Sequence, residues 1–205
     1  SSSPGPPTEP ALARAGDDVI VVWSEATDGA PADIMFASLD EGLETKIAPR
    51  KLQSSEGHSR TPRFAGTGDA LVVGWIDEAH GDDPAALRLL AIDARGQGQT
   101  AARRVFVDGD VTSAITRCRD GRCRGLLTAV QGSVNVMASF DSERDSGAPV
   151  PAKPLFQLPG GTLQDSSLSG GDSLTLGFFI QSRGRSSVIR QLNVHAGADR
   201  VPIAR

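Results

Sequence analysis

One phrase occurs twice in this chain, and its spacing restricts the folds that can hold it. Between Pro10 and Trp23 the order is a proline, a short apolar segment, Gly16-Asp17, a Val-Ile-Val-Val run and a closing tryptophan. Between Pro62 and Trp75 the same order returns, with Gly68-Asp69 at the turn, and the tryptophans stand 52 residues apart (75 − 23). Two more steps of 52 reach Leu127 and Phe179, each late in an apolar run. A second marker, an apolar residue followed by Asp or Asn, falls at Leu39-Asp40, Ile92-Asp93, Phe140-Asp141 and Leu192-Asn193, at intervals of 53, 48 and 52 residues. Self-similarity at a period near 50 is the mark of a repeat architecture.

Helical periodicity is nearly missing. Short alternating or apolar runs are split by Gly, Asp, Pro and Ser, which predicts an all-β chain. Strands are expected at 11–15, 19–26, 34–40 and near 50–54 in the first unit. They are expected at 63–66, 70–77, 87–93 and 102–107 in the second, and at 114–118, 123–130, 134–141 and near 154–158 in the third. The fourth gives 166–169, 174–181, 187–194 and 201–204. A four-stranded unit of this length has the size of one β-propeller blade, which needs neighbours to bury both its faces. The sequence therefore predicts an all-β β-propeller of four four-stranded blades, bounded at about 10–60, 61–112, 113–164 and 165–205. A Pro/Gly/Ser-rich tail precedes them at 1–9. The blades either close a ring of four or form part of a larger ring completed by another chain. A pair of β-sandwiches is the rival architecture, and a period of half a sandwich counts against it.

The combination of proline, short strand, Gly-Asp turn, Val-Val-Trp, loop and a third strand ending in Asp resembles β-propeller repeat proteins exported by high-GC bacteria. The resemblance covers residues 10–205. It is strongest in the first two units, because the third and fourth lack the proline and the tryptophan. It implies a blade and no particular activity.

Cys118 and Cys123 bracket Asp120-Gly121, a dipeptide that favours a tight hairpin turn. Residues flanking such a turn face one another, so a disulfide is expected, worth ~2 kcal/mol for so short a loop. Small disulfide hairpins also occur between first and second strands in the proteins the chain resembles. A disulfide implies an oxidising, extracytoplasmic compartment, whether secreted, periplasmic or at the cell surface. The Ser/Pro/Gly-rich opening, which lacks a methionine, reads as a processed or trimmed start. With a net charge of −4 the chain lacks the basic excess of a nucleic-acid surface, and no apolar run approaches the ~20 residues of a membrane helix.

Chemistry is harder to place. A sialidase needs a tyrosine nucleophile, and the chain has no tyrosine and no Ser-x-Asp-x-Gly-x-Thr-Trp box. No Gly-x-Ser-x-Gly elbow, His-Glu-x-x-His or phosphate loop is present. In a propeller the loops between second and third strands share one face with the links between blades. That rule gathers Asp28, Asp33, His58, Arg60, His80, Asp82 and Asp83 as candidate ligand-binding residues, with Arg183 and Arg185 as an anion-binding addition. Hard oxygen donors there suit Ca²⁺ as the one cofactor to consider; as ordinary turn chemistry the same residues are solvated loop tips. Trp23 and Trp75 close apolar runs and are expected to pack between blades. The leading expectation is a non-catalytic propeller that binds another protein chain or a cell-surface polymer through its loop face, alone or within an oligomer or larger assembly. The alternative is a glycan-active hydrolase or lyase with carboxylates at the mouth of the ring.

Overall fold

The computed structural model describes residues 7–26, 30–53, 57–66, 71–78, 81–144, 147–159, 162–170, 175–183 and 186–194; of 162–181 and 183–194 it describes the backbone alone. Every regular element among them is a strand. The first sheet runs β1 (Thr8–Ala15), β2 (Asp18–Glu25), β3 (Asp33–Leu39), β4 (Thr45–Gln53) in spatial order. The second holds β5 (Ser59–Gly66), β6 (Leu71–Asp77), β7 (Ala86–Ile92) and β8 (Arg103–Phe106). The third holds β9 (Asp110–Arg119), β10 (Arg122–Gln131), β11 (Val134–Glu143) and, after a two-residue strand β12 (Val150–Pro151), β13 (Lys153–Pro159). The fourth holds β14 (Thr162–Gly170), β15 (Thr175–Arg183) and β16 (Ser186–Val194); the strand expected at 201–204 lies outside the described residues.

Within each sheet consecutive strands pair antiparallel, so the chain meanders outward and then returns to start the next sheet. The first strands lie side by side, β1 on β5, β5 on β9 and β9 on β14. They form the inner rim of the array. The Asp120-Gly121 turn has positive φ at both residues (49° and 73°), the backbone that matches the twist of a two-residue hairpin. Cys118 and Cys123 are directly opposed across it and joined by a disulfide.

Among the described side chains, two cores lie between sheets. One joins the first and second sheets through Ile20, Val22, Ile34, Phe36, Val73, Trp75 and Leu90. The other joins the second and third through Val72, Ile76, Leu87, Leu127, Ala129 and Phe140. Alternating residues of β6 therefore enter different cores, and all seven of its residues are buried. Each large apolar side chain so enclosed contributes roughly 1.5–3 kcal/mol. The two tryptophans diverge here. Trp75 is buried between sheets as expected, at 1% exposure, whereas Trp23 is half-buried and donates from Nε1 to Glu25 Oε2 at 2.7 Å. Trp23 points away from the second sheet, on the face it shares with Val19, Val21 and the exposed Leu12.

Two departures from the expected boundaries bear on the site. β1 begins at Thr8, inside the segment expected to be a tail, and β5 and β9 begin four residues ahead of their apolar runs. In addition, β12 leaves its own unit and pairs in parallel with β8, Val150 beside Val105 and Pro151 beside Phe106, adding a strand to the second sheet.

Candidate functional site

The early starts of the inner strands share one irregularity. The β1 ladder shifts register between Thr8 and Ala11, and the β5 ladder between Arg60 and Arg63. The β9 ladder shifts opposite Thr128 and Ala129, leaving Thr112 unmatched, and the β14 ladder shifts between Gln164 and Ser166, skipping Asp165. All four shifts sit at the same end of the inner strands, where β2 and β6 finish at Glu25 and Asp77. Bulges re-aim side chains and interrupt pairing, and they collect at rims and beside active sites.

In the first two sheets the bulge carries backbone strain as well. Glu9 and Thr61 have φ of 54° and 52°, an unfavourable region for residues with a Cβ, and each precedes a proline. They are 52 residues apart, one repeat. The two bulges are tied together, because the Thr61 amide donates to Glu9 Oε2 at 2.6 Å. Ser24 Oγ closes the same seam by donating to the Ser59 carbonyl at 2.6 Å.

At the same end of the second and third sheets, several carboxylates are each held by a donor of their own. Arg60 Nε donates to Glu78 Oε1 at 2.6 Å, and its guanidinium also reaches the Thr112 carbonyl of the third sheet at 3.4 Å. The Arg60 and Glu78 side chains are 34% and 42% exposed, and a pair so exposed is worth only ~0–1 kcal/mol to the fold. It fixes the carboxylate in place more than it stabilises the sheet. Beneath it, Asp77 is buried, accepts from Arg88 Nε at 3.0 Å and from Ser59 Oγ at 3.4 Å, and so belongs to the sheet's internal framework. Asp110 Oδ1 accepts from the Ala85 amide at 2.9 Å and anchors the β6–β7 connection to the start of β9.

The residues proposed from sequence are scattered by comparison. Asp33, His58 and Arg60 stand at the same end of the first two sheets. Asp33 pairs with Lys51 at 2.5 Å on the outer strands, and exposed His58 accepts from the Ala32 amide at Nδ1, 3.0 Å away. Asp82 and Asp83 are exposed in the β6–β7 connection, where Asp83 lies 3.8 Å from Arg104 on the outer strand β8. Asp28, His80 and Arg185 lie outside the described residues, and Arg183 is described by backbone alone, opposite Ser186 in the last hairpin. Among the described residues no three His, Cys, Asp or Glu side chains stand together in a metal-binding group. Sequence reading missed Glu9 and Glu78. The signal that could have found Glu9 is its 52-residue correspondence with Thr61, each directly ahead of a repeat proline.

No protein-family model matches the chain, and no curated protein matches it in sequence. Solved structures do match, over nearly the whole chain. They include a family 117 glycoside hydrolase from the marine bacterium Zobellia galactanivorans, at 11% identity and a TM-score of 0.54, covering 97% of this chain and 69% of that one. An endo-arabinase from Bacteroides thetaiotaomicron matches at 8% identity and 0.56, covering 93% and 75%. An α-L-arabinanase from Cellvibrio cellulosa matches at 10% identity and 0.53, covering 97% and 77%. What is shared is the fold. These neighbours are β-propeller glycoside hydrolases, so the chain is all-β and of propeller type. The finding also corrects the functional expectation. A non-catalytic binding propeller, and a chain that is more binder than enzyme, are not what the neighbours favour; they favour the glycan-active alternative. The missing tyrosine and Asp-box exclude one class of propeller enzyme and say nothing against cleavage by carboxylates, which needs only a placed acid and base.

Proposed function

We propose that the chain is a glycan-active propeller that cleaves glycosidic bonds at the bulged end of its inner strands. The observation that carries the reading is the coincidence of two things at one place. The fold is that of glycoside hydrolases along nearly its whole length. At the loop end of its inner strands, a strained bulge holds the Glu9 carboxylate on the Thr61 amide of the second sheet, and Arg60 of the same bulge holds Glu78. Glycosidic cleavage uses one carboxyl group to protonate the leaving oxygen and a second to activate water or to attack the anomeric carbon. Glu78, with its guanidinium partner, is the base in this reading, and Glu9 is the acid, with Oε1 left free of the Thr61 amide. Asp165 falls at the corresponding bulge of the fourth sheet by register, which makes it the third carboxylate to test.

The finer architectural and cellular readings belong to the same proposal. The four sheets act as four blades, in an exported protein of the repeat type the sequence resembles. The Cys118–Cys123 disulfide supports an extracytoplasmic setting, where polymeric glycans are found. The test is hydrolysis of a panel of aryl glycosides and of arabinan, xylan and fructan, read as released chromophore or reducing ends. Wild type is expected to turn over at least one substrate. Glu9→Gln and Glu78→Gln should each lower the rate by about 10²–10⁴-fold, the range for acid–base groups, without a matching loss of stability. Unchanged turnover in both variants would remove these residues from the chemistry. No turnover on any substrate would sink the enzymatic reading.

A further inference from the structure

The closed end of the β9–β10 hairpin carries a charge pattern that stability alone does not favour. Arg117, Arg119, Arg122 and Arg124 occupy it, and the ladder sets Arg117 directly opposite Arg124 and Arg119 directly opposite Arg122. Strand alternation puts all four on one face of the third sheet, because Cys118 and Cys123 between them turn to the core shared with the second sheet. Like charges placed directly across a ladder destabilise it. Here two such pairs flank the disulfide, which clamps the strands at the point where the guanidiniums repel. Local repulsion kept in place by a cross-link marks a feature that serves something other than stability.

The cluster is positive and reachable. Arg117, Arg119 and Arg122 are exposed, and Arg124 is half-buried. Among the described residues Arg144 joins them, its amide donating to the Gly121 carbonyl at 2.6 Å, and the acidic neighbours are Asp120 in the turn with Asp141 and Glu143 on β11. Five arginines against three carboxylates leave an excess of two positive charges (5 − 3) in a chain of net charge −4. The cluster already shows how it takes a carboxylate. Asp141 Oδ1 accepts from Arg122 Nε and Nη2 at 3.0 and 2.7 Å, while its Oδ2 accepts from Arg124 Nε at 3.1 Å. Arg119, by contrast, has Asp120 beside it at 3.3 Å, and their side chains are 58% and 72% exposed. A pair so exposed gains little and exchanges readily for another carboxylate.

We infer that this hairpin is a docking surface for a carboxylate-bearing polysaccharide, a polyuronate that lies across the arginine pairs and presents its carboxylates in series. Arginine, not lysine, holds all four hairpin positions, which suits the two-pronged recognition of carboxylates. One exposed ion pair binds weakly, so the ligand has to offer several carboxylates on one chain. A stiff sugar chain loses less freedom on docking than a flexible acidic polypeptide of the same charge. The surface also stands apart from the bulged end, since six residues of β10 (128 − 122) separate Arg122 from Thr128, about 20 Å at ~3.4 Å per residue. It therefore holds the polymer without occupying the proposed cleavage site. The preference for a polysaccharide rests on the glycan reading above; the recognition of serial carboxylates does not.

The experiment is a calorimetric titration of the full-length protein with polygalacturonate and with poly-L-glutamate at matched carboxylate concentration, at low and at physiological ionic strength. Polygalacturonate should bind saturably, more weakly as salt rises, and more tightly than poly-L-glutamate. The double variant Arg117→Gln/Arg119→Gln should weaken it roughly tenfold or more, because contacts to one chain act together. Arg14→Gln/Lys46→Gln removes the same charge from exposed positions of the first sheet and should leave the affinity within about twofold. The Tm of the first double variant should hold or rise, since it relieves opposed like charges, and this separates a lost contact from a lost fold. No saturable binding of polygalacturonate, or equal losses in the two double variants, would overturn the docking surface. Poly-L-glutamate binding as tightly as polygalacturonate would overturn it too, by making the partner an acidic polypeptide. Turnover of the neutral glycan panel decides the hydrolase separately. Polyuronate binding without turnover leaves the surface and removes the hydrolase, and turnover without polyuronate binding does the reverse.

Discussion

Gly125, in the middle of β10, offers the sharpest test of how the third sheet is put together. It pairs with Phe140 on β11 and with Thr116 on β9. A Cβ added there would lie 2.3 Å from Phe140 Cε1 and 2.6 Å from the Ile115 carbonyl oxygen. Ordinary contact begins at 3.4 Å. The Phe140 ring can turn, but the Ile115 oxygen belongs to the β9 backbone and yields only if the ladder opens. The φ of Gly125 is not among the positive values, so the penalty of Gly125→Ala is steric. Overpacking of this kind costs ~1–3 kcal/mol, offset by the ~0.4–1 kcal/mol that alanine gains by restricting the unfolded chain. A net loss of about 1–2 kcal/mol is expected, and a chain of this size loses ~2–4 °C in Tm per kcal/mol. Thermal and urea unfolding should therefore show a fall of roughly 2–8 °C, with the m-value unchanged because the fold is retained. Gly147→Ala is the control. Nothing lies within 4 Å of the point where its new methyl group would stand, and Tm should hold or rise slightly. If Gly125→Ala melts at or above wild type, β9 and β10 are not flush at this position and the assigned register is wrong.

Two further outcomes follow from the described contacts. Reducing the Cys118–Cys123 disulfide, or replacing both cysteines with serine, should lower stability by no more than about 2 kcal/mol, because the closed loop is short; denaturant midpoints with and without reductant measure it. Arg88→Ala takes away a cationic partner of buried Asp77 and should cost ~1–3 kcal/mol, in contrast to the near-neutral Glu78→Gln at the exposed pair above it. Equal effects of these two changes on Tm would contradict the burial difference between the two pairs.

Much of the scaffold is legible in the sequence because its determinants are local. Gly-Asp turns, alternating apolar runs and the 52-residue period locate the hairpins of the first two units, and Asp120-Gly121 brings its flanking cysteines together. The site is less legible because its determinants break those patterns. Glu9 stands among prolines, where alternation fails, yet Thr8 pairs with Ser24 and the bulge absorbs Pro10 by leaving it out of the ladder. Thr61 and Thr112 extend their strands past the apolar runs that mark them. Glu78 reads as the first residue of a loop until Arg60, eighteen residues earlier, is seen to hold it. Trp23 and Trp75 look equivalent in the repeat and are not. Their different burial follows from the second sheet lying between two neighbours, whereas the face of the first sheet that carries Trp23 is only half-covered.

The two residues of β12 change how the repeat should be thought of as a unit of inheritance. Val150 and Pro151 belong to the third unit by sequence, yet they lie along β8 of the second, and the Ala152 amide continues the strap by donating to the Phe106 carbonyl at 2.7 Å. Proline suits this outer position, which asks for no further amide donor on its side. A third unit deleted or exchanged at the boundary near residue 112 would therefore strip a strand from its predecessor and bare the edge of β8. The modules are dovetailed: any recombination of this array that preserves both partners has to cut after the strap, within the third unit and not at its border.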